Sequence, residues 1–472
     1  VTFATDNYID LAEKKSNIFM EALKDVERDY TQGSLNRALV LLAIPMILEM
    51  VMESLFAIVD TFFVSKISTE AAATIGITES LLMIIESVAI GIAMAGTAMV
   101  ARRIGEKNVA DAKKVIANVV TIGVIFSVAI GIICFIYAAD ILVMMGSEPK
   151  LVEEGKGYTA IILGFNVILM LLFVFNGIFR GAGNATIAMR TLWLANGLNI
   201  ILDPLLIFGL GFIPALGLEG AAIATCIGRG TGVVYQVYHL FYGNHAVRIS
   251  LKDWIIDGSI IKRIINIASG GAGQFLIATA SWIFLIRILN HFGSQAVAGY
   301  TFAIRVIIFT ILPSWGLANA VATLVGQNLG AGNPERAEKT VWTAGKYNML
   351  FLLGISILFF LLARPIIGVF TQDPVVMAYG VDALKILCAS YIFFAYQMII
   401  GQAFNGAGDT RTPTIMNFIA CWLIQIPLAY FLAITLDMKV PGVYWAIAIS
   451  SAILASMSIY LFKQGKWKLK VV

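Results

Sequence analysis

Twelve long apolar runs separated by short polar loops constrain this chain more than any single motif. They cover residues 36–63, 73–100, 116–139, 158–179, 191–210, 219–242, 265–288, 295–325, 342–362, 382–404, 414–434 and 443–462. About 20 mainly apolar residues suffice for a helix to cross a bilayer. Several runs are longer, which implies tilted helices or helix ends that project beyond the lipid. Composition agrees: 59% of the 472 residues are hydrophobic and 13% are charged, whereas soluble domains carry about 25% charged residues. A soluble globular enzyme is thereby excluded. The expected fold is an all-α polytopic membrane protein with 12 transmembrane helices.

Lysine and arginine set the orientation, because they collect in cytoplasmic loops. With the N-terminus inside, 24 of the 33 lie on the inner side, 5 (Lys66, Lys150, Lys156, Arg364, Lys439) lie in outer loops and 4 lie within spans. The expected location is the cell inner (plasma) membrane, with both termini cytoplasmic. A net charge of +4 gives no reason to expect a nucleic-acid partner. Cys134, Cys226, Cys388 and Cys421 fall in apolar runs without CxxC spacing, and His239, His245 and His291 are scattered. Neither disulfides nor a zinc site is expected from that pattern. The first 33 residues are polar and charged, unlike a cleavable signal peptide. Within them Phe19, Leu23, Val26 and Tyr30 recur at the spacing of an amphipathic helix. Its acids outnumber its bases, so a solvated or protein-packed helix is expected rather than a polybasic lipid anchor.

The two halves match at a constant offset of 225 residues. Ala71 aligns with Ala296, Val100 with Val325, Gly105 with Gly330, Asn108 with Asn333, Ala112 with Ala337 and Lys114 with Lys339. Further on, Gly181-Ala182-Gly183-Asn184 aligns with Gly406-Ala407-Gly408-Asp409. One gapless offset of this reach marks an internal duplication. The chain divides into a cytoplasmic N-terminal segment (1–33), an N-lobe of six helices (34–245), a C-lobe of six (246–462) and a basic cytoplasmic tail (463–472). An even number of helices per unit makes the repeat parallel, related by an axis along the membrane normal. Two such pseudo-symmetric lobes enclose a central cleft, and rocking one against the other exposes it to each side in turn. The glycine-rich inner loops 180–184 and 405–409 lack a Walker lysine and a strand–loop–helix setting, so they read as tight turns. No ATP-binding domain is recognisable, so an ion gradient is expected to power uphill movement, with no further cofactor.

The halves differ in charge. A charged side chain at the bilayer centre costs about 2.5–3.5 kcal/mol by insertion scales. Glu49, Glu53, Asp60, Glu86 and Asp203 lie well inside spans of the first half, whereas the repeat counterparts of Asp60 and Asp203 are Leu285 and Leu428. The ion site is therefore expected in the N-lobe. Asp60, Asp203, Thr225 and Tyr158 share the outer half of the membrane, and Asn199 lies one turn from Asp203 on the same helix face. Pro204 frees the carbonyl of Ile200 and permits a helix bend. Two acids close together in low dielectric cannot both ionise cheaply, so one of them can take and release a proton. The same oxygens, with the Asn and Thr side chains, could instead hold a dehydrated Na⁺. Glu49, Glu53 and Asp60 share one face of the first span, as a proton or substrate ladder would; Glu49 snorkelling to the inner side is the plainer alternative. Arg305 could pair with Glu79 or Glu86 across the cleft, or bind backbone carbonyls.

Several stretches resemble the multidrug and toxic compound extrusion (MATE) family. They are Ala43-Ile44-Pro45, Val59-Asp60-Thr61-Phe62-Phe63-Val64-Ser65, Ala101-Arg102-Arg103-Ile104-Gly105, Arg180-Gly181-Ala182-Gly183-Asn184 and Asn199-Ile200-Ile201-Leu202-Asp203-Pro204. The chain looks most like the prokaryotic DinF-like branch, and the resemblance runs from about residue 35 to the end. It implies an N-lobe cation site at Asp60, Tyr158, Asn176, Asn199, Asp203 and Thr225. It also implies cation-coupled (H⁺ or Na⁺) antiport of small amphipathic organic compounds, often cationic or aromatic, by a protein that works as a monomer in membrane lipid. Glu49 and Glu53 depart from the family pattern. A lipid or lipid-linked precursor flippase is the alternative; Arg287, Arg305 and Lys385 are its only basic material. An intramembrane enzyme would need a nucleophile with a base, or paired metal ligands, at one depth, and none is evident.

The charge asymmetry makes a direct prediction. In a variant lacking the four native cysteines, Lys66→Cys and Lys439→Cys react with an impermeant maleimide added to intact cells, and Lys252→Cys and Lys466→Cys do not. The reverse pattern contradicts the orientation.

Overall fold

A computed structural model describes residues 18–26, 28–64, 69–209, 211 and 214–472, apart from the side chains of 60, 61, 64, 69, 70 and 72. The first six spans are α1 (Leu35–Val64), α2 (Thr69–Gly105), α3 (Val109–Ile136), α4 (Pro149–Gly181), α5 (Ala185–Phe208) and α6 (Gly217–Tyr242). The second six are α7 (Gly258–Asn290), α8 (Ser294–Gly330), α9 (Pro334–Gly368), α10 (Pro374–Gly406), α11 (Arg411–Thr435) and α12 (Lys439–Lys463). No β-strand occurs among the described residues. Each span overlaps one of the twelve apolar runs, and twelve crossings bring both ends of the chain to the same face.

Several helices start before their apolar run. α3 begins at Val109 because the Asn108 side chain accepts from the Asp111 amide at 3.1 Å. α7 begins at Gly258 because Asp257 accepts from the Ser259 amide at 2.8 Å. Hydropathy marks the stretch that meets lipid, whereas the cap marks where the orphan amides of the first turn are satisfied. α6 is less apolar than the other spans, since it carries Glu219, Arg229, Gln236 and His239. Close packing on α5 holds it instead. A Cβ on Gly228 would lie 2.7 Å from the Ala195 carbonyl oxygen, and one on Gly232 would lie 3.1 Å from the Thr191 side chain.

The duplication is written in the helix ends. α4 breaks at Phe165, between Pro149–Gly164 and Asn166–Gly181, and α10 breaks at Ser390, between Pro374–Ala389 and Tyr391–Gly406. All of these positions differ by 225. The inner turns repeat as well: Gly183 and Gly408 have φ of +88° and +81°, as turn residues rather than a phosphate cradle.

Packing differs between the two ends of the molecule. On the face carrying the termini, the cores are shared. Leu39, Leu42 and Met46 of α1 pack with Val321, Phe404 and Phe462 of the C-lobe, while Ile264 and Ile267 of α7 pack with Val119 and Phe179 of the N-lobe. Each lobe thus lends the start of its first helix to the other. α2 and α8 cross there through reciprocal glycines, Gly105 against the Gln327 backbone and Gly330 against Arg102; residues 102 and 327 are themselves repeat partners. Small residues of this kind let membrane helices approach until backbones touch. On the opposite side the cores are separate, one around Tyr158 and Ile207 in the N-lobe and one around Tyr300 and Tyr444 in the C-lobe. The structure is therefore tied on the terminus face and parted on the other.

The N-terminal helix ends earlier than its apolar spacing implies. Within the described residues it covers 18–22, and Val26 and Tyr30 lie beyond it; Phe3 to Asn17 fall outside the described residues. The segment is protein-packed all the same. Tyr30 is buried, Thr186 Oγ1 donates to the Ala22 carbonyl at 3.2 Å, and Arg336 of the C-lobe donates to the Gly33 carbonyl at 2.9 Å. The basic tail also binds protein: Trp467 is fully buried, Lys468 Nζ meets Glu338 Oε2 at 2.6 Å, and Arg102 donates to the Lys470 carbonyl at 2.8 Å.

One repeat pair offers a stability test. Gly332 sits at φ +73° and its counterpart Lys107 at φ +57°, a region that costs an L-residue about 1–2 kcal/mol. Gly332→Lys is expected to lower stability by roughly 1 kcal/mol, and Lys107→Gly to leave the melting temperature in detergent unchanged or higher.

Candidate functional site

Three groups of polar side chains inside the spans lie in or beside the N-lobe. The one farthest from the terminus face is built by α5 and α6. Asp203 is fully buried and Asn199 nearly so, on one face of α5 a turn apart. Gly228 brings α6 close: a Cβ there would lie 2.9 Å from Asn199 Cβ. With its amide oriented to suit both neighbours, Asn199 donates to Asp203 Oδ2 at 2.9 Å and accepts from the Thr225 hydroxyl at 3.2 Å and the Thr225 amide at 3.0 Å. The structure thus joins Asp203, Asn199 and Thr225. α5 runs through Pro204 as one helix. Tyr158 is buried among Ile207, Leu218 and Ala221, and with Thr225, Glu79, Glu86 and Arg229 it lines a cavity of about 290 Å³. Asp60 lies near the C-terminal end of α1, and its side chain is outside the described residues.

A second group lies between the lobes. A cavity of about 280 Å³ is lined on the N-lobe side by Met50, Glu53, Glu86 and Arg229, and on the C-lobe side by Phe275, Trp315 and Asn405. Asn196 Nδ2 donates to Glu53 Oε2 at 2.9 Å, Arg229 lies 3.9 Å from Glu53 Oε1, and the Arg229 guanidinium sits 5.6 Å from the centre of the Phe56 ring. Glu86 and Arg229 border both cavities, so they form the wall between them. Carboxylates set beside aromatic and thioether surface suit an organic cation. Met50 and Trp315 supply the thioether and aromatic surface of this cavity, and Phe56 lines the N-lobe one. Trp282 donates to the Tyr300 hydroxyl at 3.2 Å, Tyr391 pairs with Thr310 at 3.1 Å, and Met52 is buried.

The third group closes the floor. Glu49 of α1 is fully buried and forms an ion pair with Arg180 of α4. Asn176 Nδ2 donates to Glu49 Oε1 at 3.4 Å, and Gln236 Nε2 donates to Asn176 Oδ1 at 2.6 Å. Asn176 is therefore placed with Glu49, away from the Asp203 group. Glu49 does not snorkel: it is held by a cation from another helix. The Arg180 and Gly181 carbonyls accept from Thr323 at 3.0 Å and Gln327 at 3.0 Å of α8, which couples this floor to the seam between the lobes. Arg305 is exposed on α8 and lines neither cavity.

Arg180 and Arg229 are cavity-lining cations to which the sequence reading gives no role. Arg229 carried a signal, an isolated cation inside an apolar run. Arg180 opens a family-like stretch, but the apolar run stops at 179 and so leaves it in a loop, whereas the helix continues to Gly181. Removing one member of a buried pair leaves an uncompensated charge and costs about 3–5 kcal/mol. Arg180→Gln is expected to destabilise the protein by that order, and Glu49→Gln added to it to restore more than half of the lost melting temperature.

A sequence model of the family described as MatE matches residues 45–205 and 272–431, once in each half. The chain is 26% identical over 440 residues to a probable multidrug resistance protein NorM of Thermotoga maritima, covering 93% of this chain and 94% of that one. It is 27% identical over 408 residues to an FAD transporter of Shewanella oneidensis, covering 86% and 89%. Among solved structures it resembles the outward-facing conformation of a multidrug resistance MATE family transporter of the MOP superfamily, with a TM-score of 0.87, 27% identity and 93% and 97% coverage. These relatives are transporters, not enzymes. A family pattern met in both halves, together with a fold shared over nearly the whole length, places the chain in the multidrug and toxic compound extrusion (MATE) family.

Proposed function

We propose that this protein exports small amphipathic organic compounds, chiefly cations with aromatic groups, in exchange for H⁺ or Na⁺ entering from outside. It works as a monomer in the inner membrane with both termini in the cytoplasm. The observation that carries the reading is the buried Asp203–Asn199–Thr225 group, whose repeat counterpart in the C-lobe is built around Leu428. A carboxylate held in a protein interior is best neutralised by a proton or a desolvated metal cation. Asp60, at the same depth on α1, is the second carboxylate for that ion, and Tyr158 lines its route.

Substrate occupies the cavity between the lobes. Glu53 and Glu86 give it a negative lining that Arg229 offsets only in part, and Phe275 and Trp315 offer aromatic faces. The ion enters the N-lobe cavity from the side where the lobes are parted. Arg229, on the shared wall, then communicates its charge to the carboxylates that hold the substrate. Because the ion and the organic cation are answered by linked carboxylates, loading one favours release of the other. An ion falling through 100 mV releases about 2.3 kcal/mol per charge, enough for a gradient of nearly fiftyfold. Arg287, Arg305 and Lys385, the basic residues the flippase alternative relied on, do not line the cavity; the two arginines that do, Arg180 and Arg229, already face Glu49 and Glu53, which disfavours a phosphate-bearing lipid there. Relatives named as multidrug resistance proteins agree with the export reading.

The test is ethidium efflux from proteoliposomes under an imposed ΔpH or ΔNa⁺. Asp203→Asn is expected to reduce gradient-driven transport at least tenfold, since an amide neither binds a proton nor carries charge. Leu428→Asn, which puts the same residue at the repeat position, is expected to leave ion dependence intact. Unaltered coupling in Asp203→Asn contradicts the proposal.

A further inference from the structure

Three side chains that the transport cavities do not use converge on the terminus face. His239 lies in the last turn of α6, His245 in the loop that follows, and Asp25 in the N-terminal segment. One ligand-capable atom of each lies within 4.8 Å of the others, and Asp25 Oδ2 is 3.6 Å from His245 Nε2. The sequence shows no ligand spacing here because the carboxylate comes from the far end of the lobe. It is delivered by docking: Arg190 donates to the Leu23 carbonyl at 2.9 Å and Thr186 to that of Ala22 at 3.2 Å.

Two imidazoles and a carboxylate form a donor set suited to a divalent transition ion, with water in the remaining position. Donors about 2.0–2.1 Å from a tetrahedral Zn²⁺ stand about 3.3 Å apart, so the present spacing needs only a modest closure. Two further features favour an ion over a simple ion pair. His239 Nδ1 is buried without a hydrogen-bond partner among the described residues, a costly arrangement for an imidazole nitrogen. Asn184 Nδ2 donates to Asp25 Oδ1 at 2.7 Å and lies 3.3 Å from His245 Nδ1. That contact turns the other carboxylate oxygen, Oδ2, toward the imidazole, as partners of ligand residues do in metal sites.

We propose that Asp25, His239 and His245 bind a divalent transition-metal ion such as Zn²⁺, which clips the N-terminal segment to the N-lobe. The same segment reaches Arg336 of the C-lobe through the carbonyls of Gln32 and Gly33, at 3.0 and 2.9 Å. The clip therefore fastens a strap that crosses the seam between the lobes.

The full-length protein, purified without a polyhistidine tag, is titrated with Zn²⁺ by calorimetry and with Co²⁺ by visible absorption. One Zn²⁺ per chain is expected, with a dissociation constant of about 10 μM or tighter. His239→Ala and His245→Ala should each weaken binding at least tenfold, Asn184→Ala by about tenfold, and His245→Cys, which keeps a ligand, should bind. Zn²⁺ should slow tryptic cleavage after Lys24 in the wild type and not in the His239→Ala/His245→Ala double variant. Zn²⁺ binding unchanged in a monodisperse double variant overturns the proposal, as does a wild-type stoichiometry below about 0.1.

Discussion

An ionised oxygen inside a membrane protein has to be answered by a cation, a proton or a dense set of hydrogen bonds, because hydrocarbon offers none of these. The N-lobe contains this problem at three depths and meets it differently at each. At the floor, Glu49 is met permanently by Arg180. In the central cavity, Glu53 and Glu86 share Arg229, so part of their charge is left for whatever enters. At the outer level, Asp203 is held by the Asn199 amide, and an exchangeable ion fits that arrangement best. The C-lobe repeats the scaffold without the charges: Leu285 is buried in its core, with Leu428 packed against it.

The asymmetry of charge sits on a symmetric frame. Helix breaks at Phe165 and Ser390, turns at Gly183 and Gly408, and crossings at Gly105 and Gly330 all recur at one offset. Exchange of the first-helix starts between lobes makes the terminus face a common core, while the opposite ends keep separate cores. In the alternating-access reading proposed above, the shared end is the pivot. Both chain ends add to that end, since the N-terminal segment and the tail each touch both lobes. Proposals about ion coupling therefore concern the N-lobe, and proposals about conformational balance concern the terminus face.

Much of this was legible in the sequence. Apolar length gave twelve spans, because lipid demands a minimum run of apolar residues, and the gapless offset gave the duplication. Asp203 and Asn199 were read together since four residues make one helical turn, and the depth of Thr225 followed from counting inward from a loop. What escaped is what depends on side chains meeting across the sequence. The Glu49–Arg180 pair spans 131 residues, and Arg180 looked like an inner-loop cation until α4 was seen to continue to Gly181. Asn176 was assigned by resemblance to the outer group and lies with Glu49. Apolar spacing persists through Val26 and Tyr30, although the helix ends at residue 22 and the chain turns there to reach its docking sites.

The central claim is that one lobe alone binds an exchangeable ion at Asp203, and that substrate and ion compete through linked carboxylates. It is tested most directly at equilibrium, by measuring proton release with a pH-indicator dye, or ²²Na⁺ displacement by scintillation proximity, as ethidium is added to detergent-purified protein. The account predicts about one ion released per substrate bound, with release abolished in Asp203→Asn while ethidium still binds. Substrate binding that displaces no ion from the wild type, or the same release from Asp203→Asn, would contradict it.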